Sequence, residues 1–282
     1  MALPEPSSDT TVLVTGASSG IGMALARELA SRGYGLTLVA RRREKLETFA
    51  AELRDGDVEV DVLPADLASD RARAKVVRSV RGGERTLVGL CNNAGAGAIG
   101  HALDHDAHEE ETVFRLNALA LFDLTNQLAR DMAERGGGAV LNTASILAFA
   151  PIPQNATYAA TKAFVASYSE ALHTELSGSG VSVTTVNPGP TRTAVFDNSG
   201  AEGAAGVGPG MFWQAAEDVA RPAVDGMLRG ERSVIPGLTN KLAVLGLSFT
   251  PRAALLPLSL ASQSETVRRF LIGEQSNGNH DD

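Results

Sequence analysis

The sequence predicts an α/β domain in which a parallel sheet is covered on both faces by helices. Two observations carry this expectation. Short β-branched runs alternate with helix-like stretches through the first two-thirds of the chain, as strand–helix–strand crossovers require. The strand runs are also mostly apolar rather than alternating, which suits strands buried on both faces.

The strand runs fall near 11–15 (TVLVT), 35–40 (GLTLVA), 58–63 (VEVDVL), 86–91 (TLVGLC), 138–143 (GAVLNT) and 181–187 (VSVTTVN). Helical segments lie between them near 20–32, 43–54, 69–81, 107–134 and 156–177. In the long 107–134 segment, Phe114, Leu121 and Leu128 recur every seven residues and so fall near one face. With the 156–177 helix, that face packs either within the chain or against a second subunit. Beyond residue 190 the pattern changes. A glycine-rich stretch at about 194–213 has no regular period and reads as a mobile loop. A helix near 216–229 and a short strand at 232–235 follow, then an apolar extension, about 236–273, with turn-like prolines at Pro251 and Pro257. No connection resembles an interdomain linker. The expected organisation is a flexible arm over 1–10, one domain over 11–273 and a disordered tail over 274–282.

Composition narrows the function. Of 282 residues, 44% are hydrophobic and 21% charged, ordinary for a globular chain with a sizeable core. A net charge of −8 argues against nucleic acid, whose recognition needs a basic face. The single cysteine, Cys91, cannot form an internal disulfide and fits a reducing compartment. Residues 1–10 lack the apolar region of a secretory signal, and no run approaches the ~20 apolar residues of a membrane span. The expected address is the cytoplasm.

The segment Thr15-Gly16-Ala17-Ser18-Ser19-Gly20-Ile21-Gly22 follows the first strand and opens the first helix. Its glycines allow a tight turn and close approach of backbone to a pyrophosphate, which the free N–H groups of the helix start then receive. Such a turn can be purely structural, but its place between strand and helix favours a dinucleotide. The second strand ends at Ala40 and runs into Arg41-Arg42-Arg43. An NAD site would carry an acidic residue here for the ribose 2′-hydroxyl. Arg41 and Arg42 instead suit a 2′-phosphate through charge-assisted bonds, whereas Arg43 reads as a solvated helix start. NADP is therefore expected over NAD.

The ordered set TGASSGIG at 15–22, Asp66-Leu67, Asn92-Asn93-Ala94-Gly95, Asn117, Ser145, Tyr158-Ala-Ala-Thr-Lys162 and Pro188-Gly189 resembles the short, single-domain branch of the short-chain dehydrogenase/reductase family, over about residues 10–235. The resemblance implies a Rossmann-type, seven-stranded parallel sheet in the order 3-2-1-4-5-6-7. It also implies that Asp66, with the Leu67 backbone, holds the adenine amino group, and that Asn93 and its neighbours form the turn after the fourth strand, against the adenine ribose and the sheet edge. Pro188, Gly189, Thr191 and Thr193 would meet the nicotinamide carboxamide.

Tyr158 and Lys162 are four residues apart on an expected helix and so share a face. A free phenol titrates near about 10. A lysine ammonium, helped by the positive ring of an oxidised nicotinamide, would lower that by about 1–3 and make Tyr158 a general acid/base. Lys162 would also hold the nicotinamide ribose, and the Ser145 hydroxyl would steady the substrate oxygen. A nucleophilic Ser145 would need a histidine base, and none is near in sequence. Asn117 resembles the family position that anchors a water in a proton relay, although a mid-helix asparagine can equally be solvated. His101, His105 and His108 with their acidic neighbours match no zinc spacing, so no metal is expected.

Candidate substrate walls are Leu147, Ile146 and Phe149, then Gln154, Phe196, Met211, Phe212 and Trp213. All but Gln154 are apolar, which favours an apolar ketone, aldehyde or alcohol. The extension beyond 232 carries more basic than acidic residues. It is expected to cap the cleft or pack on a second subunit, with contact to a membrane surface as the alternative. A homo-oligomer is the expected assembly. The competing functional readings are a non-catalytic NADPH-binding sensor on the same fold and, less consistent with the TGxxxGxG spacing, a nucleotide-sugar epimerase.

Overall fold

The protein is described by a computed structural model covering residues 2–56, 58–97, 100–101, 103–192 and 213–263, with backbone alone over 258–263. Seven strands, β1 (Thr10–Thr15), β2 (Leu36–Ala40), β3 (Val60–Pro64), β4 (Thr86–Asn92), β5 (Gly138–Thr143), β6 (Val181–Val186) and β7 (Ser233–Val234), form one sheet in the order 3-2-1-4-5-6-7. Every pairing is parallel, with Val14 beside Leu38 on one side and Cys91 on the other. The strand order reverses between β1 and β4, which opens a crevice at their carboxyl ends.

The pleat sends successive β1 residues to opposite cores. Val12 and Val14 join α1 (Gly20–Ser31), α2 (Arg43–Arg54) and the helix over Ala216–Arg229, while Leu13 joins α3 (Asp70–Arg81) and the helix over Ala120–Glu134. This double burial is why the strand runs carry no polar alternation.

The 107–134 segment departs from the expected single helix. α4 (Ala107–Phe114) passes into a π turn at Arg115–Leu119 before α5 (Ala120–Glu134) resumes. The wider turn rotates what precedes it, so Leu121 and Leu128 are buried while Phe114 faces outward. The seven-residue spacing therefore does not mark one buried face. α6 (Ala156–Glu175) follows β5, and α7 (Ala216–Arg229), α8 (Leu238–Phe249) and α9 (Arg252–Gln263) complete the described elements.

Two further expectations change. Pro257 lies inside α9 rather than at a turn, whereas Pro251 stands just before that helix and accepts from the Ala254 and Leu255 N–H groups. The start of the chain is tied down: Leu3 is fully buried beneath Gly89, and the Ala2 N–H donates to the Leu228 carbonyl at 3.0 Å. One apolar side chain in the core outweighs the polar arm around it.

Candidate active site

The crevice between β1 and β4 is fastened by one hydroxyl. Thr15 Oγ1 accepts from the Asn93 and Ala94 N–H groups at 2.9 and 3.0 Å and donates to the Cys91 carbonyl at 3.3 Å. Above it the chain turns through Gly16 at φ +68°, where a Cβ would stand 2.9 Å from Ala94 Cα. A Cβ on Gly22 would stand 2.3 Å from the Gly16 carbonyl oxygen, a backbone atom that cannot give way. These contacts leave a cradle only glycine can form. Ser19 caps α1 in extended geometry without using its hydroxyl, and the first turn carries no acidic residue. The helix start thus presents its N–H groups and positive dipole end to an anion, so the residues fit a dinucleotide pyrophosphate. Ser18 lies in this turn, and Ile21 is the second residue of α1. In the turn after β4, the Asn93 side chain donates to the Thr15 carbonyl at 3.3 Å and packs on Gly16 and Gly22. It is a strut beneath the turn.

Arg42 caps α2, and its guanidinium reaches Ser18 Oγ at 3.4 Å across the glycine turn. Arg41 is exposed beside it, while Arg43 pairs with Glu47 one turn along α2. Asp66 is exposed and folds its carboxylate onto the Ala68 N–H at 3.1 Å. Leu67 is buried, and its carbonyl accepts from Arg73 at 2.9 Å. Sequence reasoning passed over Arg73. Its side chain is 3% exposed, pairs with Asp70 and Asp123 at 2.6 and 2.7 Å, and also meets the Ala68 carbonyl. The signal was available: Arg73 heads the stripe completed by Val76, Val77 and Val80, so it occupies a core position.

Ser145, Tyr158, Lys162 and Asn117 converge from three elements. Ser145 follows β5 in extended backbone and caps the 3₁₀ turn Ile146–Phe149, its hydroxyl accepting from the Leu147 N–H at 3.1 Å. The Tyr158 phenol is pushed up by burial, while a hydrogen bond with the Ser145 side chain draws it down by less. One turn along α6, Lys162 sets Nζ 5.6 Å from the Tyr158 ring centroid and donates to the Thr143 carbonyl at 2.9 Å. Burial lowers the lysine to about 8. The protein's own groups therefore move the phenol upward, since desolvation outweighs its hydrogen bond. Asn117 is buried within the π turn, not solvated. The loop after β4 threads between these groups: a Cβ on Gly95 would lie 3.2 Å from Asn117 Oδ1 and 3.7 Å from Lys162 Nζ.

Gln154 adopts φ +60°, accepts from the Gly100 N–H at 2.9 Å, and lines a hollow with Tyr158, Glu110, Val113, Asn155 and Thr157. This side of the hollow is more polar than the expected walls. Glu110, an acidic residue in the first turn of α4, stands beside Tyr158 in this hollow. Ile146 is buried, and Leu147, Phe149 and Trp213 are partly buried. Thr193, Phe196, Met211 and Phe212 lie outside the described residues. Pro188 accepts from the Ile146 N–H at 3.0 Å, which joins this stretch to the Ser145 turn. Gln214 bridges to Thr191 through the groups of Pro190 and Arg192, not those of Thr191 itself. Gly189 abuts Asn240 of α8, a fully buried amide that donates to Gln214 Oε1 and the Pro236 carbonyl. Asn240 was also unforeseen, although it is the polar member of the α8 face that carries Val244.

The chain is similar to several known proteins. Sulfoacetaldehyde reductase 2 of Chromohalobacter salexigens is 36% identical over 184 residues, which cover 64% of this chain and 73% of that protein. A short-chain dehydrogenase from Sphingobium yanoikuyae, solved in complex with NADPH, superposes with a TM-score of 0.76 at 34% identity, covering 97% of this chain and 99% of the other. The bulky-bulky ketone specific alcohol dehydrogenase of Comamonas testosteroni gives a TM-score of 0.72 at 30% identity, covering 98% of each chain. A family model described as short chain dehydrogenase matches residues 10–203. With that match, the glycine cradle and the serine–tyrosine–lysine cluster, the chain belongs to the short-chain dehydrogenase/reductase family of oxidoreductases.

Proposed function

We propose that the protein uses NADP(H) to interconvert an apolar ketone or aldehyde and its alcohol, with Tyr158 as general acid/base. The observation that carries this reading is the convergence of Tyr158 on Ser145, with Lys162 one helical turn away. Bound in the crevice, a nicotinamide supplies or accepts the hydride. Tyr158 gives its phenolic proton to the substrate oxygen in reduction and takes a proton from the alcohol in oxidation. Ser145 holds the same oxygen through its hydroxyl as charge develops there. Lys162 holds the nicotinamide ribose and lends positive charge to the phenol, and Asn117 supports the relay that returns a proton from solvent.

For the cofactor, Gly16, Ser18, Ser19, Gly20, Ile21 and Gly22 cradle the pyrophosphate, Asp66 and Leu67 meet the adenine, and Pro188, Gly189, Thr191 and Thr193 meet the nicotinamide. Arg42 beside Ser18, with Arg41, supports recognition of a 2′-phosphate. The Sphingobium relative was solved with NADPH. Glu110 in the hollow by Tyr158 disfavours an anionic substrate such as the one named for the Chromohalobacter relative. Leu147 and Trp213, with Phe196, supply apolar walls, and Gln154 offers an amide. The outer faces of α5 and α6 carry Phe122, Phe164 and Tyr168 in ring contact at 5.6 Å, and a second copy of the chain would cover them. A reducing cytoplasm suits the buried, unpaired Cys91.

The test is a panel of ketones, aldehydes and alcohols with NADPH/NADP and NADH/NAD, run beside Tyr158→Phe. Turnover of apolar carbonyls with NADPH is expected, together with its loss in the variant at nearly unchanged NADPH affinity. Persistent turnover in the variant defeats the mechanism. NADPH binding without turnover of any substrate supports a non-catalytic sensor instead.

A further inference from the structure

Helix α8 is apolar on two opposite sides, and the described residues cover only one. Its inner side carries Asn240 and Val244, both buried, and packs toward the turn after Ser145. On the outer side Leu238, Leu242, Leu245 and Phe249 recur at the spacing of a single helix face and are 73, 61, 55 and 79% exposed. Lys241 stands at the rim of that row, three residues after Leu238 and four before Leu245. Arg252 opens α9 just beyond it. Both basic side chains are exposed, and residues 238–263 contain no acidic residue in a chain whose net charge is −8. No described helix is long and apolar enough to cross a membrane.

We propose that α8 docks on an anionic lipid surface, lying in the plane of the interface with Leu238, Leu242, Leu245 and Phe249 inserted and Lys241 and Arg252 at the headgroups. The length of the row fits this posture. Leu238 to Phe249 spans about 17 Å along the helix axis, enough for a flat contact and well short of the ~30 Å hydrocarbon core. Charge selects the occupant. A twofold contact that set α8 against α8 of a second copy would bring two basic, acid-free segments together, whereas anionic headgroups complement them. The same surface repels the acidic remainder of the chain, so it fixes orientation as well as attachment. Because Asn240 on the inner side touches Gly189, docking brings the crevice wall to the lipid.

Vesicle co-sedimentation of the full chain tests this, using phosphatidylcholine alone and phosphatidylcholine mixed equally with phosphatidylserine. Binding to the mixed vesicles is expected, weaker on phosphatidylcholine alone and weakened by added salt. The double variant Leu242→Glu/Leu245→Glu should lose at least about tenfold in partitioning, with its thermal unfolding midpoint nearly unchanged because both side chains are exposed. Lys241→Glu, which leaves the apolar row intact, should lose severalfold on the mixed vesicles alone. Absence of binding by the wild-type chain overturns the proposal, as does binding that survives the double variant. Sedimentation velocity supplies the rival outcome: a dimer converted to monomer by the double variant, with neither form captured by vesicles, assigns the row to a second copy and likewise overturns it.

Discussion

Asn117 pairs with Ala96 through both ends of its side-chain amide. The Ala96 N–H donates to Oδ1 at 2.8 Å, and Nδ2 donates back to the Ala96 carbonyl at 2.9 Å. A second proton of the same amide reaches Thr161 Oγ1 at 3.2 Å, next to Lys162 in sequence. The pair clamps the loop after β4 to the π turn on one side and to the catalytic helix on the other.

Asn117→Ala should therefore act on stability and turnover together. It leaves the half-buried backbone donor and acceptor of Ala96 unpaired, at roughly 1–2 kcal/mol each, so a loss of about 2–4 kcal/mol in urea unfolding is expected. The turnover number should fall as the loop bearing Gly95 and Gly97 loosens against Lys162 and Tyr158. Unchanged stability with a large loss of turnover would assign Asn117 to the relay alone.

Asn117 also marks where the sequence was legible and where it was not. The motif gave its position, but nothing in the 107–134 pattern announced the π turn, because apolar spacing of seven survives in either geometry until the phase is measured. The strands were legible because burial on both faces leaves an apolar signature independent of pairing. The strand order followed from the family resemblance, and only the register came with the fold. Arg73 and Asn240 were missed for one reason: each is a polar residue in an apolar stripe, where its partners come from distant segments. Asp123 and Gln214 cannot be assigned to them from spacing. The motif placed Asn93 in the turn after β4, but its bond to the Thr15 carbonyl needed the fold.

The arginine pair should set coenzyme preference. A charge-assisted hydrogen bond contributes roughly 1.5–3 kcal/mol, so Arg41→Ala/Arg42→Ala should raise the NADPH KM by about 10–100-fold or more. The NADH KM should change little, because NADH lacks the 2′-phosphate. Steady-state kinetics with both coenzymes decide it. Equal losses for the two would mean that Arg42 matters only through its contact with Ser18.

Lys162 makes stability depend on pH in a stated direction. Burial lowers its pKa from the usual 10.5 to about 8, so the unfolded chain holds this proton more tightly than the folded one. Between those values folding releases the proton, and stability rises with pH; below about 8 the whole penalty, about 3 kcal/mol, is present. Tyr158 acts oppositely and later, since a raised phenol costs stability as pH climbs past its usual 10. Urea unfolding of the wild type and Lys162→Met at about pH 7 and about pH 9.5 should show the wild type gaining about 2 kcal/mol on the variant. A constant difference would mean that water or a neighbouring carbonyl solvates the ammonium fully in the folded protein.

Gly189 and Asn240 should behave as one unit. A Cβ on Gly189 would lie 2.3 Å from Asn240 Oδ1, and the amide cannot swing aside because Gln214 and the Pro236 carbonyl hold its Nδ2. Gly189→Ala should therefore cost about 1–3 kcal/mol through overpacking. Asn240→Ala should cost a similar amount, by leaving Gln214 Oε1 and the Pro236 carbonyl without their shared donor. In the double variant the new methyl enters space the amide vacated, so the two costs should fall short of additivity by about 0.5–3 kcal/mol in a double-mutant cycle. The same cycle in NADPH KM separates packing from function: if Gly189 meets the nicotinamide, the KM defect of Gly189→Ala should be partly restored by Asn240→Ala. Strict additivity in both measurements would mean that α8 merely covers the crevice wall and does not hold it in place.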